Sequence, residues 1–457
     1  MTIGSRRASV LLFVGDILAL IFSLWLTLFL RSGALPSEQI FEAHLGPFSF
    51  LFVVWIAVFF INGLYEKRTI FFTRDLSGSI VRTQIFNIII AALFFFLVPA
   101  FGITPKTNLF IYLFVSLALI LLWRLVLFPK LAERRSRFDA IIIGTGPEEE
   151  ELKKELNGNA RYAIRCEESL DPRTISPREC AAFLNERASN IQLLIVDTRD
   201  PAVAPLVPQL YQHAFEHRSY HIVDLLTLYE DVFDRVPLSL LDYEWFFRYA
   251  TRRVSGFYLF AKRCIDLVGG VCMGIITVCV LPFVWLALRL EGSGPLVIRQ
   301  NRIGEHSTHI IVYKFRTMRA NDSASGQWIG ESKNQVTKVG AFLRRTSLDE
   351  FPQFLNVLRG ELSLIGPRND IEGLGNRLAE ALPYYRVRYI VKPGITGWAQ
   401  VNQQYEQGHI SPQSIEETNM RLAYDFYYLK HRSFILDVII ALKTLKRMLF
   451  RFNPTQS

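Results

Sequence analysis

The chain has 457 residues, half of them hydrophobic and only 20% charged, and its mean hydropathy is +0.22. That length calls for about two to four domains, and the composition excludes a disordered or fibrous protein and is too apolar for an average soluble enzyme. Lys and Arg number 51 against 42 Asp and Glu, a net charge of +9 that in so apolar a chain fits an anionic membrane or phosphate-bearing substrates. The five cysteines lack metal-ligand spacing, so neither a disulfide framework nor a zinc site is expected.

Four apolar runs come first: Ala8 to Leu30, Pro47 to Tyr65, Ile85 to Phe101 and Asn108 to Phe128. Each is near the roughly 20 residues a spanning helix needs. No small-residue cleavage site follows the first, which reads as a retained helix and not a signal peptide. Arg6 and Arg7 precede the first run; Lys67, Arg68, Arg74 and Arg82 separate the second and third; Lys130, Arg134, Arg135 and Arg137 follow the fourth. The other two loops hold only Arg31 and Lys106. This bias puts the N-terminus in the cytoplasm, with residues 1–136 forming four transmembrane helices. Asp16 lies inside the first. An intramembrane carboxylate is a functional candidate by default, but near the cytoplasmic end a basic partner on a neighbouring helix is the favoured reading.

Residues 137–255 read as a small doubly wound, Rossmann-like α/β domain. Phe138 to Pro147 is a buried strand running into a glycine turn, a charged helix spans Glu148 to Leu156, and Ile191 to Val196 and Tyr220 to Val223 are further strands. Gly144-Thr145-Gly146 resembles the start of a dinucleotide fingerprint, but Glu149 occupies the third glycine position, and a carboxylate there argues against pyrophosphate. A structural or regulatory spacer is expected. His213, His217 and His221 recur at intervals of four, yet His221 enters a strand-like stretch, which breaks the shared face a metal would need.

The stretch Leu267 to Leu288 is long enough to span. Pro282 interrupts it, and Lys262 and Arg263 on one side and Arg289, Arg299 and Arg302 on the other place both ends in the cytoplasm. The expectation is a re-entrant helix over about 264–290 that breaks near Pro282 and returns, heading a mainly helical α/β catalytic domain, 256–457, on the cytoplasmic face. Its alternative is a fifth crossing.

Residues 291 to 405 concentrate Gly, Arg, Lys and acid in three clusters. The first is Arg299-Gln300-Asn301-Arg302-Ile303-Gly304 with Tyr313-Lys314-Phe315-Arg316-Thr317-Met318; the second is Leu343 to Phe354, running into Asn356-Val357-Leu358-Arg359-Gly360; the third is Ser363-Leu364-Ile365-Gly366-Pro367-Arg368 with Lys392-Pro393-Gly394-Ile395-Thr396-Gly397-Trp398. Ser347 and Glu350 spell a capping box, but Pro352 fits better if the helix begins near Asp349. Asp349 and Glu350 then sit at a positive helix end, with Arg344 and Arg345 helping to keep them ionised. Two such carboxylates suit Mg²⁺ (or Mn²⁺) against a diphosphate, and an ionised Asp can attack phosphorus to form an acyl phosphate. Lys314, Arg316, Arg344, Arg345, Arg368 and Lys392 are the candidate phosphate contacts; for Lys314, Arg316 and Arg344 a scaffold or surface charge is the alternative.

These motifs resemble the bacterial sugar transferases, the monotopic polyprenyl-phosphate glycosyl-1-phosphate transferases. The resemblance covers Tyr258 to Phe450. It takes in Lys262-Arg263-x-x-Asp266, the Pro282 break, Lys314 to Met318, Thr346 to Gln353, Gly366-Pro367-Arg368, Lys392 to Trp398 and Arg421-Leu422-x-Tyr424-Asp425. The four helices and α/β spacer look like the larger members that initiate exopolysaccharide, capsule or O-antigen synthesis. The resemblance implies that Asp349 attacks the sugar-linked phosphorus of a UDP-sugar and expels UMP. Undecaprenyl phosphate then takes the phosphosugar, while Glu350 helps hold the metal and Arg368 binds phosphate. It implies a multi-pass protein of the bacterial inner (cytoplasmic) membrane, in contact with lipid, with homo-oligomerisation left open. This chain departs from the family in carrying Asn369 where a second proline is usual, which leaves the turn after Arg368 less rigid.

Phe434 to Phe452 alternates apolar residues with Lys443, Lys446, Arg447 and Arg451. It suits a helix in the headgroup plane or an ordinary packing helix. Two rivals to the transferase remain. A membrane-anchored nucleotide-sugar dehydratase or epimerase would explain the Tyr-x-x-x-Lys spacing of Tyr258 and Lys262, but no complete glycine-rich turn accompanies it; purified protein is expected to carry no NAD. A non-catalytic scaffold of a polysaccharide assembly complex would have no use for Asp349 and Glu350 in their basic surround. Nucleic acid is disfavoured because the positive charge forms no single stripe.

Overall fold

A computed structural model describes residues 5–65, 76–98, 105–132, 138–159, 162, 164–187, 191–213, 221–250, 254–318, 336–404, 412 and 414–450. Lys67, Arg68, Phe101, Arg74, Arg134, Arg135, Arg137, His217, Tyr220, Arg451 and Phe452 lie outside them. The chain divides into two compact units, Met1–Val232 and Phe233–Ser457.

The first unit opens with four helices long and apolar enough to cross a membrane: Val10–Ser32, Glu38–Ile61, Leu76–Leu97 and Asn108–Leu131. The second starts nine positions before the expected Pro47, because the Ser37 hydroxyl caps it by accepting from the Ile40 amide and Pro47 is carried inside the helix. Leu20, Leu24, Phe48, Trp55 and Tyr112 fill the bundle interior, while Val53, Phe96 and Leu97 point outward, as helices bathed in hydrocarbon require. Polar bonds add specificity: Trp55 Nε1 to the Asn87 carbonyl at 2.8 Å, Gln84 Nε2 to Ser116 Oγ at 2.6 Å, Tyr112 to the Leu20 carbonyl at 3.0 Å.

Asp16 is 0% exposed, and its partner is Arg124 of the fourth helix. Arg124 Nε donates to Oδ1 at 3.0 Å and Nη2 to Oδ2 at 2.5 Å, the Tyr65 hydroxyl donates to Oδ2 at 2.6 Å, and Arg124 Nη1 donates to the Leu64 carbonyl at 2.9 Å. The intramembrane acid is thus a bidentate interhelical tie.

Beyond the helices, a parallel sheet has the order β2-β1-β3-β4, with β1 Phe138–Ile143, β2 Ile164–Leu170, β3 Leu193–Val196 and β4 His221–Asp224. Its core packs Ile141, Ile143, Leu194 and Val196 against Cys180, Leu184, Val203 and Leu206. Glu149 turns inward and accepts from the Ser169 hydroxyl of β2. His213 is held by the Gln209 carbonyl at 2.8 Å and Asn185 Oδ1 at 3.0 Å, and His221 is exposed at the start of β4.

In the second unit, Trp245 is buried against Phe426 and the Val236 amide donates to the Ala423 carbonyl at 3.1 Å. The 36-residue helix Gly256–Glu291 follows, a fifth helix apolar enough to span. The expected break is not formed: the helix runs through Pro282 without interruption. A proline inside a helix removes one backbone bond, and the far half is kept in place by packing of Val284 and Leu288 on Phe315 and Leu343. One face is buried along the length, at Asp266, Gly270, Gly274, Thr277, Val284 and Leu288. Gly270 and Gly274 allow close approach: a Cβ there would lie 3.0 Å from Leu358 and 2.9 Å from the Phe354 ring. The opposite face exposes Phe257, Val268, Val271, Ile275, Val278, Phe283 and Leu290.

The rest is mainly helical. An antiparallel pair, β5 Val297–Ile303 and β6 His309–Phe315, and a short parallel pair, β7 Ser363–Ile365 and β8 Gly394–Thr396, are its strands. Helices Lys338–Arg345, Phe354–Arg359, Glu372–Ala381, Ile415–His431 and Phe434–Phe450 surround them.

Removing one partner of a buried ion pair strands the other. Asp16→Ala should therefore destabilise the helix bundle by about 3–5 kcal/mol, read as a fall in thermal midpoint in detergent, and pairing it with Arg124→Leu should recover most of the loss. An Asp16→Ala midpoint equal to that of the unsubstituted protein would refute the tie.

Candidate active site

Local geometry turns the second sequence cluster inward. The helix Lys338–Arg345 starts at Thr337, whose hydroxyl accepts from the Gly340 amide at 3.0 Å. After it, Ser347 adopts a left-handed conformation with φ 58, which costs on the order of 1–3 kcal/mol for a residue with a Cβ. The capping box is therefore not formed; a tight 3₁₀ turn, Leu348–Gln353, starts at once with Pro352 inside it. Asp349 and Glu350 occupy its first turn, and Asp349 is buried.

Three separate segments meet on Glu350. Lys314, from the end of β6, donates from Nζ to Glu350 Oε1 at 2.9 Å, and Arg368, from the loop after β7, donates from Nη2 to the same oxygen at 2.6 Å. Burial works against the Glu350 charge, but Arg368 and Lys314 outweigh it and hold the carboxyl well below the usual carboxylate range. Burial, followed by the neighbouring Glu350 charge, pushes Asp349 up to about 6. Burial also brings Lys314 down to about 8 despite its carboxylate partner. Adjacent carboxylates thus divide their roles: one is locked in an ion pair, the other stays ready to ionise near neutrality.

Arg344 lies close enough for its charge to act on both carboxylates, while its Nε donates to Thr317 Oγ1 at 3.1 Å. Arg316 goes elsewhere. Its guanidinium donates to the carbonyls of Leu288, Gly292 and Ser293 at 2.9, 2.9 and 2.5 Å, closing the end of the membrane helix. Arg345 is exposed, and Lys392 is half-buried in the loop before β8, where its charge acts on Asp266. Lys314, Arg344 and Arg368 therefore gather at Asp349 and Glu350, whereas Arg316 is committed to the helix end.

The Lys262-Arg263-x-x-Asp266 motif, which lies within the first turns of the long apolar helix and not before it, binds that helix to the domain. Arg263 donates to the carbonyls of Val357 and Leu358, both at 2.7 Å, and Asp266 accepts from Ser363 Oγ at 2.9 Å and the Leu364 amide at 2.8 Å. Tyr258 and Lys262, the pair with dehydratase-like spacing, both bond Asp437, at 3.0 and 2.8 Å. Asn369 is 7% exposed, and its Nδ2 is buried without an acceptor among the described residues.

In sequence Arg302 stands out as a flanking charge of the apolar stretch and as part of a cluster, not as a site residue. It lies near Arg368 and Glu350 and donates to the Asn369 carbonyl at 3.0 Å. Asp370, Arg388, Arg421 and Asp425 form a buried ion network behind Arg368. Arg421 and Asp425, one helical turn apart, were its visible trace; Arg388 had none.

Among the described residues no group of three or more His, Cys, Asp or Glu could enclose a metal. Mg²⁺ needs no such cage, since it keeps waters and takes the rest of its ligands from one or two carboxylates and substrate phosphates. Both cations bond Oε1 of Glu350, so Oε2 is used by neither, and with the adjacent Asp349 it forms a donor set of hard oxygens that fits such an ion.

A family described as bacterial sugar transferase matches residues 257–451. The chain is 36% identical over 200 residues to UDP-N-acetylgalactosamine-undecaprenyl-phosphate N-acetylgalactosaminephosphotransferase of Aeromonas hydrophila, covering 44% of this chain and 46% of that one. It is 37% identical over 194 residues to UDP-glucose:undecaprenyl-phosphate glucose-1-phosphate transferase of Escherichia coli (strain K12), covering 42% and 41%. The chain thus spans less than half the length of these two relatives. With the exopolysaccharide production protein PSS of Rhizobium leguminosarum bv. phaseoli it shares 34% identity over 199 residues, 42% of this chain and 97% of that protein.

In protein free of divalent cations, difference infrared spectra against Asp349→Asn should show a protonated carboxyl band that vanishes as pH rises through about 6. A site already ionised at pH 4 would contradict the burial argument.

Proposed function

The chain belongs to the bacterial sugar transferase family, and we propose that it transfers a sugar 1-phosphate from a UDP-sugar to undecaprenyl phosphate. The observation that carries this is geometric: Lys314 and Arg368 meet on one Glu350 oxygen beside the buried Asp349. An Asp349 carboxylate oxygen attacks the phosphorus that bears the sugar. The bond from that phosphorus to the bridging oxygen breaks, its electron pair leaves with UMP, and an aspartyl phosphosugar remains. A phosphate oxygen of undecaprenyl phosphate then attacks the same phosphorus, the acyl phosphate P–O bond breaks, and the Asp349 carboxylate is restored. The product is undecaprenyl diphosphate sugar, made as the initiating step of exopolysaccharide, capsule or O-antigen synthesis.

Arg368, Lys314 and Arg344 face the charge that builds on the phosphoryl oxygens, and they are oriented before substrate arrives. Asp349 and Glu350 would hold Mg²⁺ or Mn²⁺ against the diphosphate, where the ion would neutralise phosphate charge. A dehydratase would need Tyr258 and Lys262 at a cofactor, and both are engaged with Asp437.

The membrane helix, we further propose, keeps both ends on the cytoplasmic face of the inner membrane. At 36 residues and 1.5 Å per residue it is about 54 Å long, against a hydrocarbon core of about 30 Å. Polar partners meet it from Lys262 and Asp437 near one end to Glu291 and the Val339 amide at the other. A perpendicular crossing would carry into hydrocarbon the part of the domain that packs between those ends, where Leu358 and Phe354 meet Gly270 and Gly274 and Phe315 and Leu343 meet Val284 and Leu288, at several kcal/mol per unsatisfied polar group. Its exposed apolar face lies toward lipid, next to the route by which a polyprenyl phosphate arrives.

Release of UMP from a panel of UDP-sugars, with Mg²⁺ and undecaprenyl phosphate, should occur for one donor or a few. Asp349→Asn should reduce it by at least about 10³-fold and Glu350→Gln by about 10²–10³-fold. Turnover that persists in Asp349→Asn rules out the covalent route. Phe257→Cys and Leu290→Cys, in a background lacking Cys264, Cys272 and Cys279, should both react with an impermeant maleimide from the cytoplasmic side; reaction from opposite sides means a crossing helix.

A further inference from the structure

A large amount of charge is buried behind Arg368, and it touches no carboxylate of the reacting pair. Arg388, in the 3₁₀ turn Tyr385–Ile390, is 1% exposed. Its Nε donates to Asp425 Oδ2 at 2.9 Å, its Nη2 donates to the backbone carbonyl of Arg368 at 2.8 Å, and its Nη1 donates to the Asp370 carboxylate. Asp370 also accepts from the Tyr389 hydroxyl at 2.8 Å, the Tyr385 hydroxyl at 2.9 Å and Arg421 Nη2 at 3.0 Å.

The loop that carries Arg368 is held at every residue. The Gly366 amide donates to the Thr396 carbonyl at 2.8 Å, and the Pro367 carbonyl accepts from the Gly394 amide at 2.9 Å. The Arg368 carbonyl goes to Arg388, the Asn369 carbonyl accepts from Arg302 Nη1 at 3.0 Å, and the Asp370 carbonyl accepts from the Ile303 amide at 3.0 Å. Of these ties, the Arg388 fork grips both the Arg368 backbone and the side chain two residues on. Buried ion networks are weak sources of stability, since desolvation offsets most of the attraction. What a planar, five-donor guanidinium supplies is fixed geometry.

We propose that Arg388 is a positioning residue: by holding the Arg368 carbonyl and the Asp370 carboxylate together, it sets where the Arg368 guanidinium meets Glu350 and the donor diphosphate. This rests on the transfer reading above. Arg388 itself contacts no substrate; its influence passes through Arg368 and vanishes when Arg368 is absent.

The test is a double-mutant cycle on kcat/KM for UMP release, with thermal midpoints measured alongside. Arg388→Lys keeps the charge and loses the fork. It should lower kcat/KM about 10–100-fold, in line with other outer partners of reacting groups, and lower it less than about twofold when Arg368→Ala is already present. Equal fold-losses in both backgrounds overturn the proposal and leave Arg388 a stability element. If Arg388→Lys does not fold, Tyr389→Phe, which removes one bond to Asp370 and keeps the ring, carries the same comparison. Its loss should be about fivefold, one hydrogen bond's worth, and again absent beside Arg368→Ala. A lack of turnover in the unsubstituted protein sinks the transfer reading instead; the cycle is then read from UDP affinity by calorimetry, where additive losses would still overturn the positioning role.

Discussion

One carboxylate oxygen is where three segments of the second unit close on one another. Glu350 Oε1 receives Lys314 from a β-strand and Arg368 from a loop after another strand, while Glu350 itself sits on the 3₁₀ turn that follows a left-handed Ser347. Each segment reaches that point by its own local device: a strained residue, a strand register, a loop tied down at successive carbonyls. With two cations on it, Glu350 remains charged, and that fixed negative charge beside Asp349, added to burial, raises the neighbour. The arrangement links backbone strain at Ser347 to the acid–base character of Asp349. Strain of this kind persists only where surrounding structure over-determines it.

The long apolar helix is bound to this centre from both ends. Arg263 closes the helix Phe354–Arg359 that continues from the 3₁₀ turn, Asp266 holds the strand that leads to Arg368, and Arg316 closes the membrane helix itself. Glycines at 270 and 274 leave room for the Leu358 and Phe354 side chains against the helix backbone. The long apolar helix and the turn that carries Asp349 and Glu350 are therefore parts of one packed body.

Much of this was legible in the chain order of residues. Apolar length located the four N-terminal helices, though the second and third each start nine positions before the expected Pro47 and Ile85, and the tie on Asp16 followed from the cost of a lone carboxylate in hydrocarbon. Strands β1, β3 and β4 showed as apolar runs, but β2 did not: Ile-Arg-Cys-Glu-Glu-Ser-Leu is an edge strand at the end of the β2-β1-β3-β4 order, half solvated and carrying charge. The pairing of Asp349 with Glu350 and the gathering of Lys314, Arg344 and Arg368 around them followed from motif and chemistry. The place of Arg316 at the helix end was not legible, because a guanidinium that closes a helix end and one that binds phosphate look the same in sequence.

By itself, then, the sequence determined composition-driven properties: which segments must leave water, which carboxylates stand side by side, and which cations are near them in number. Tertiary structure alone decided how those groups are shared out. Whether Pro282 breaks its helix depended on whether Val284 and Leu288 found a surface to pack on. Which of several arginines faces Glu350 depended on loops folding from distant parts of the chain. Arg388, whose fork reaches Asp425, Asp370 and the Arg368 carbonyl, had no sequence signal, because its partners lie 37, 18 and 20 residues away. Hydrophobicity and local propensity are read residue by residue, but a hydrogen-bond direction exists only once both ends are in place.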